Sequence, residues 1–184
     1  AQGIEGLHNW IETIRAFPKP VIAAVEGSAA GAGFSLALSC DLLVAAQNSI
    51  FLMAYSNVGL SPDGGASWSL LHNLPRATAL QLMMLGERVD AMRLQVLGLV
   101  NQVSQPGEAL ADALALAARL NERAPNVMAS IKELANDAPL ASLHTQLAAE
   151  RDHFVRNLRH ANAGEGITAC LLYTSPSPRD LSTS

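Results

Sequence analysis

The sequence predicts an α/β fold, and three features of the chain point to it. Val21–Val25 and Leu42–Ala46 are short apolar runs with the length and composition of buried strands. Between them, Phe34–Leu38 has the apolar spacing of a helix. From residue 107 onward, apolar side chains recur at helical spacing. Strands that alternate with helices, followed by helices alone, indicate an α/β core with a helical C-terminal region.

The other elements follow from periodicity and from turn residues. Ala1–Ala16 is predicted to be a helix whose apolar face consists of Leu7, Trp10, Ile11 and Ile14. Pro18 and Pro20 end it, because proline lacks an N–H and disfavours helix in the residue before it. The elements expected after Ala46 are strands at Ile50–Met53 and Leu99–Val103, and helices at Ser67–Leu74, Ala77–Leu85, Ala91–Leu97, Gly107–Arg123, 125–136 and Leu140–Ala161.

Composition limits the classes of function. The chain has 184 residues, of which 49% are hydrophobic and 15% charged, enough for one domain with a real core. Its net charge of −4 does not suggest a nucleic-acid surface. No apolar run is long enough to cross a membrane, and two cysteines, Cys40 and Cys170, do not make a disulfide framework. We therefore expect a cytoplasmic protein without nucleic-acid or membrane partners.

The most informative stretch is the small-residue turn between the first strand and the helix that follows. Gly27 and Gly31–Gly33 occupy this turn, with nothing larger than serine between Gly27 and Gly33. Such a turn lets the backbone approach a ligand closely. A helix that begins there presents unpaired N–H groups and the positive end of its dipole. This arrangement suits an oxyanion such as a carboxylate, a phosphate or an enolate.

At this stretch the sequence resembles a known family. KPVIAAVEGSAAGAGFSLALSCDLLVAA and, later, GLSPDGGASWSLLHNLPRATALQLMMLGERVDAMRLQVLGLVNQV are similar to the crotonase (enoyl-CoA hydratase/isomerase) superfamily. The resemblance covers residues 1–167 and is strongest to the isomerase branch that acts on ring-epoxide acyl-CoA thioesters. It implies the later part of a ββα spiral over residues 1–106, with its first strands missing. A helical trimerisation region would follow over residues 107–167.

The resemblance also implies the chemistry and the partners. The substrate would be an acyl-CoA thioester that reacts through an enolate; CoA is part of the substrate, so no separate cofactor and no metal are expected. The assembly would be a homotrimer or hexamer, formed through the apolar stripe Leu143, Leu147, Phe154, Val155 and Leu158. The family pattern places further strands, much of the CoA surface and a second oxyanion donor before residue 1. We therefore expect this chain to be an inactive fragment with a non-native, disordered tail at residues 168–184.

The family pattern assigns roles to several positions of this chain. The backbone N–H of Ala32, between Gly31 and Gly33, would hold the thioester oxygen, provided that Ala32 has a negative φ. The two glutamates of the hydratases would fall at Ser35 and Tyr55, so the carboxylate pair that adds water is absent.

Asp63, in the loop Ser56–Gly65, has two interpretations. It is either the N-cap of the following helix or the single acid/base of an isomerase. In the second case we expect a pocket that raises the pKa of the Asp63 carboxyl group by surrounding it with apolar side chains. The predicted pocket residues are Phe34, Ser35, Tyr55, Leu60 and Trp68.

Three other functions stay open at this stage. The protein could be a hydratase or lyase that uses other groups, which an assay of water addition to a 2-enoyl-CoA would reveal. It could be related to dehalogenases, in which the carboxylate attacks covalently and an aspartyl ester can be trapped. The third alternative is a catalytically inactive chain that retains only assembly surfaces.

Overall fold

A computed structural model of the chain describes residues 2–164 and 167–168. The helices are α1 (Gln2–Ala16), α2 (Ala32–Ser39), α3 (Ala66–Asn73), α4 (Arg76–Leu85), α5 (Ala91–Val96), α6 (Ala109–Asn121), α7 (Pro125–Asp137) and α8 (Leu143–Leu158). The strands are β1 (Ile22–Val25), β2 (Ser28–Ala30), β3 (Leu42–Ala46), β4 (Ile50–Leu52), β5 (Val89–Asp90) and β6 (Gln102–Ser104). The predicted α/β fold is confirmed. Cys170 and all but the first residue of the predicted tail lie outside the described residues.

The strands form two small sheets. The first has the order β1–β3–β6 and is parallel throughout, with Ile22 opposite Leu42 and Ala45 opposite Val103. In the second, β2 pairs parallel with β4, and β4 pairs antiparallel with β5. Within the described part of the chain, β1 lies at the edge of its sheet.

The main core packs α2–α5 with the two sheets. Phe34 of α2 and Phe51 of β4 are fully buried, with ring centroids 5.1 Å apart. Smaller side chains fill the remaining space around them, among them Ala45, Ala79 and Ala91. A separate small cluster lies where α6 covers Val44 and Ala46 of β3. The core therefore fixes α2, whose first turn forms part of the candidate site.

Two of the differences between predicted and observed elements have a visible cause. The small-residue turn contains a strand, β2, because Gly27 (φ 75°) and Gly31 (φ 52°) turn the chain on either side of it and the small side chains between them pair with β4. The last strand begins at Gln102 rather than Leu99. The reason is Asn101, whose side-chain oxygen accepts from the Leu43 N–H at 2.7 Å while its own N–H donates to the Leu43 carbonyl.

Helix α1 is held in place by its apolar face and by a contact near its C-terminal end. Leu7, Ile11 and Ile14 are buried or half-buried, but Trp10 is 68% exposed, so its predicted place on the apolar face is wrong. Near the end of α1, the buried Lys132 ammonium donates to the Ile14 carbonyl at 2.7 Å and to the carboxylate of Asp41, also at 2.7 Å. This contact ties α1 to α7 and to the start of β3.

The chain divides into two compact units, Ala1–Pro139 and Leu140–Ser184. Helices α6 and α7 belong to the first unit, while α8 is the principal helix of the second. Cys40, in the first unit, is a free thiol whose pKa is raised chiefly by burial and further by the Asp41 carboxylate. In the described part of the chain, none of the helices is both long and apolar enough to span a membrane.

Candidate active site

The first turn of α2 presents backbone N–H groups at the surface of the core. Gly31 precedes the helix with φ 52° and ψ −117°, a conformation that favours glycine. Its own N–H donates to the Leu52 carbonyl at 3.0 Å, and its carbonyl accepts from the Ser35 N–H at 3.0 Å. Ala32 is the first helical residue, and no residue other than glycine has a positive φ in the described chain. The condition set for Ala32 as an N–H donor is therefore met.

Ala32 and Gly33 are both exposed, whereas the next two residues of α2 are buried. Among the described residues, no acceptor pairs with the Ala32 N–H. An exposed N–H at a helix start, beside the positive end of the helix dipole, can bind a developing negative charge. Whether it does so in a reaction remains a prediction.

Three of the residues singled out in the sequence lie together next to this turn. The Ser35 hydroxyl donates to the Asp63 carbonyl at 2.8 Å and lies 3.4 Å from the Tyr55 hydroxyl. The Tyr55 hydroxyl in turn lies 3.5 Å from the same Asp63 carbonyl. The Tyr55 ring faces Gly31, with its nearest atom 3.7 Å from where a Cβ on that glycine would stand. Positions 35, 55 and 63 thus form one cluster at the N-terminus of α2.

The carboxylate of Asp63 is held through one of its two oxygens. Oδ1 lies 2.7 Å from Nε2 of His8 and accepts from the Gly64 N–H at 2.6 Å. Oδ2 has no partner among the described residues. The interpretation of Asp63 as a helix cap is wrong: α3 begins at Ala66 after Gly65, with no side-chain cap. The carboxylate therefore does not cap α3, which was the structural alternative to a catalytic role.

The expected rise in the pKa of the Asp63 carboxyl group is contradicted. Its pKa is lowered, first by the hydrogen bond with His8 and second by the hydrogen bond from the Gly64 N–H. The apolar side chains expected around it lie in other environments: Phe34 is in the core, Leu60 is 63% exposed, and Trp68 stacks on His72 with the Arg15 guanidinium over its ring. Asp63 is thus a carboxylate at neutral pH.

His8 is the site residue that sequence reasoning missed. It precedes Asp63 by 55 positions, on the exposed side of an amphipathic helix, and no local motif includes it. The only indication of this contact in the sequence is the apolar face that Leu7 and Ile11 form next to His8. This face packs on the Asp63 loop: methyl groups of the two side chains lie 3.2 and 3.3 Å from where a Cβ on Gly64 would stand. His72, the ionisable side chain of α3, donates from Nδ1 to the Trp68 carbonyl within its own helix, at 2.8 Å.

This arrangement can move a proton and hold an oxyanion. The cluster contains one carboxylate, Asp63, and no second one at Ser35 or Tyr55. In the part of the chain that the structure describes, no group of three histidine, cysteine or acidic side chains could hold a metal ion.

Comparison with known proteins shows the family of this chain. A model of the family described as "Enoyl-CoA hydratase/isomerase" matches residues 3–173. The chain belongs to the enoyl-CoA hydratase/isomerase family. The crotonase resemblance of the sequence is thereby confirmed.

Relatives within the enoyl-CoA hydratase/isomerase family carry different activities. A 1,2-epoxyphenylacetyl-CoA isomerase of Escherichia coli K12 is 40% identical over 175 residues, which are 94% of this chain and 66% of the relative. A 2,3-dehydroadipyl-CoA hydratase of the same organism is 33% identical over 163 residues, 89% of this chain and 64% of the relative. The chain thus spans slightly less than two thirds of these curated relatives.

A solved structure from the same family superposes closely. The crystal structure of an enoyl-CoA hydratase from Polaromonas sp. JS666 matches with a TM-score of 0.91 and 65% identity, covering 95% of this chain and 68% of that one. The crotonase fold of this family member is therefore shown.

Gly64 should be essential to the site's geometry. Its φ of 62° disfavours any side chain, and an added Cβ would stand 3.0 Å from Cβ of Ser35. We expect Gly64→Ala to lower the free energy of unfolding by about 2 kcal/mol or more, through backbone strain and crowding together. Chemical denaturation measures this loss.

Gly65→Ala is the matched control for that prediction. Gly65 also has a positive φ, 72°, but an added Cβ there would meet nothing within 4 Å. It should therefore show the backbone strain alone and a smaller loss than Gly64→Ala. Equal losses would mean that crowding between the Asp63 loop, α1 and α2 contributes nothing.

Proposed function

We propose that the protein isomerises an acyl-CoA thioester through an enolate, with Asp63 as the single acid/base and the Ala32 N–H as an oxyanion donor. The acyl group would carry a double bond or a ring epoxide. The observation that carries this proposal is the environment of Asp63: among the described residues one oxygen of its carboxylate has no partner, and the hydroxyls of Ser35 and Tyr55, rather than a second carboxylate, lie at its backbone carbonyl. The similarity to an epoxyphenylacetyl-CoA isomerase supports the same class of reaction.

The proposed steps balance without an oxidant or reductant. Oδ2 of Asp63 removes a proton from a carbon of the acyl group, and the electron pair of that C–H bond forms the enolate, whose negative oxygen accepts from the Ala32 N–H. The enolate then collapses, and Asp63 returns the proton to a different carbon. A carboxylate that is ionised at neutral pH can begin this cycle. Since CoA belongs to the substrate, the steps use no further cofactor.

Hydration is the second candidate, because several relatives are named hydratases. Water addition by a pair of carboxylates would need acidic groups at positions 35 and 55, where this chain has Ser35 and Tyr55. If the protein were a hydratase, Asp63 would therefore have to activate water without a second carboxylate. We favour isomerisation because one carboxylate suffices to remove a proton and return it.

Product analysis with the full-length protein tests the proposal. The protein would be incubated with enoyl-CoA and ring-epoxide acyl-CoA thioesters, and the products separated from substrate by chromatography and then weighed by mass spectrometry. Isomerisation leaves the mass of the substrate unchanged, whereas hydration adds one water. A product of unchanged mass supports the proposal. A product one water heavier, or an ester trapped on Asp63 as in a dehalogenase, would overturn it.

We also propose that the full-length protein self-associates through α8, as a trimer or a hexamer. Four apolar side chains of this helix are more than half exposed in the chain: Leu143, Leu147, Phe154 and Leu158. Burying them between subunits would remove apolar surface from water. Light scattering at micromolar concentration is expected to give a trimer or a multiple of one. A monomer would contradict the proposal.

The double substitution Leu147→Glu and Phe154→Glu should shift that equilibrium toward monomer, since it places charges on the same face. Asp152→Asn is a control on the other face of the same helix, where the side chain is exposed, and it leaves the apolar stripe intact. An unchanged mass for the double variant would assign self-association to another surface.

A further inference from the structure

We propose that His8 is a positioning residue that fixes Oδ1 of Asp63, so that Oδ2 is the oxygen that takes and returns the substrate proton. This inference rests on the proposed function, because it assigns a partner to the same acid/base. It adds a residue from α1, outside every motif of the Gly-rich turn and of the Asp63 loop.

The two oxygens of the Asp63 carboxylate differ in their partners. Both observed partners of the carboxylate, Nε2 of His8 at 2.7 Å and the Gly64 N–H at 2.6 Å, bind Oδ1. With Asp63 ionised, both of its oxygens can only accept, so Nε2 of His8 carries the hydrogen. Two donors from two different segments fix the plane of the carboxylate. Oδ2 is left as the oxygen available to a substrate.

Helix α1 is anchored independently of His8. Leu7 and Ile11 pack on the Asp63 loop, and the Lys132 ammonium binds the Ile14 carbonyl at the other end of the helix. The position of the His8 backbone therefore does not depend on the imidazole. The His8 side chain is 49% exposed, so replacing it removes little buried surface. Its loss should affect Asp63 rather than the fold.

Among the ionisable side chains of α1, α2 and α3, only His8 contacts the Asp63 carboxylate. The charged side chains of α1 are Glu5, Glu12 and Arg15, and none of them has a hydrogen bond or ion pair with the Asp63 carboxylate. Helix α2 has no ionisable side chain, and the only one on α3, His72, is bonded to the Trp68 carbonyl. The Tyr55 hydroxyl lies near the Asp63 carbonyl, not the carboxylate.

The test compares two substitutions in the full-length protein. His8→Phe keeps an aromatic ring but removes the donor, and we expect kcat for isomerisation to fall roughly tenfold to a hundredfold with little change in KM, because a misplaced base slows the proton transfer. His8→Gln places an amide N–H near the position of Nε2, and it should restore most of the rate. The pH profile gives a separate readout: in His8→Phe the acid limb of kcat/KM should move to higher pH, because the largest cause of the low Asp63 pKa is removed.

A double-mutant cycle separates this inference from the proposed function. If His8 acts through Asp63, adding His8→Phe to Asp63→Asn should cause no further loss of rate. If Asp63→Asn itself retains normal turnover, the proposed function fails. If Asp63→Asn is inactive but His8→Phe keeps both its rate and its acid limb, or if its effect simply multiplies that of Asp63→Asn, only the positioning role of His8 is overturned.

Discussion

Replacing Asp63 by asparagine in the full-length protein is expected to lower the turnover of an isomerisable acyl-CoA by about 100-fold or more, the usual size of general acid–base catalysis. The amide has nearly the shape of the carboxylate, and its oxygen can still accept from the Gly64 N–H. It cannot take a proton from carbon. The loss should therefore appear in kcat more than in KM.

Asp90→Asn is the matched control for this variant. Like Asp63, Asp90 accepts a backbone N–H, that of Arg93 at 2.7 Å, but it caps α5 outside the Asp63 cluster. Because asparagine caps helices about as well as aspartate, its replacement should leave both stability and turnover nearly unchanged. Unfolding of both variants would be followed by circular dichroism. Near-normal turnover in a folded Asp63→Asn protein would remove Asp63 from the mechanism.

The low pKa of Asp63 gives this prediction a pH dependence. Because the folded-state pKa lies below that of an unfolded aspartate, about 3.9, the carboxylate is present throughout the neutral range. Its interactions with His8 and Gly64 contribute stability above that value and are lost as the pH falls through the folded-state pKa. The acid limb of kcat/KM should therefore lie below the pH expected of an ordinary carboxyl group. Asp63→Asn should have no such limb from this residue.

The parts of the site that depend on local sequence were predictable. The Gly-rich turn requires residues that tolerate a positive φ, and Gly31 has one; the helix then begins at the next residue. The resemblance in the sequence also aligned positions 35, 55 and 63, and the structure brings Ser35, Tyr55 and Asp63 within hydrogen-bonding distance of one another. Motifs of this kind can be recognised in a sequence because their backbone geometry restricts which residue types can occupy each position.

The environment of the Asp63 carboxylate was not predictable in the same way. Whether a side chain surrounds a neighbour or enters the core depends on its direction, which the sequence pattern does not give. Phe34 points into the core, where it meets Phe51, although its backbone lies beside the Gly-rich turn. His8 comes from a helix whose sequence has no link to the Asp63 loop except an apolar face that could pack anywhere. Polar partners across such distances follow only from the folded chain.

The short strand β2 could not be predicted either, because it also depends on contacts with a distant part of the chain. Residues Ser28–Ala30 have low strand propensity, and glycines flank them on both sides, so the sequence indicated a turn throughout. Tertiary pairing overrides that preference: β4 lies alongside, with Ala29 opposite Phe51. This pairing also fixes Gly31, whose N–H binds the Leu52 carbonyl at the end of β4. The position of the Gly-rich turn is thus set by the second sheet.

Ala32→Pro is expected to raise the barrier to isomerisation by on the order of 3 kcal/mol, a loss of about 10² to 10³ in rate, because it removes one oxyanion donor. Proline lacks the N–H and is otherwise well tolerated as the first residue of a helix, the position that Ala32 occupies in α2. The N–H should bind the enolate oxygen more strongly than the thioester carbonyl of the bound substrate. The effect should therefore fall mainly on kcat.

Ala32→Gly is the control, since it changes the side chain by one methyl group and keeps the N–H. Ala32 is exposed, so neither variant opens a cavity in the core. If the side chain mattered, both variants would lose rate; if the N–H matters, only the proline variant should. Thermal unfolding establishes that α2 still packs on the core, because Phe34, two residues later, is buried there. A folded Ala32→Pro protein with an unchanged kcat would show that the enolate, if one forms, is stabilised by groups other than this N–H.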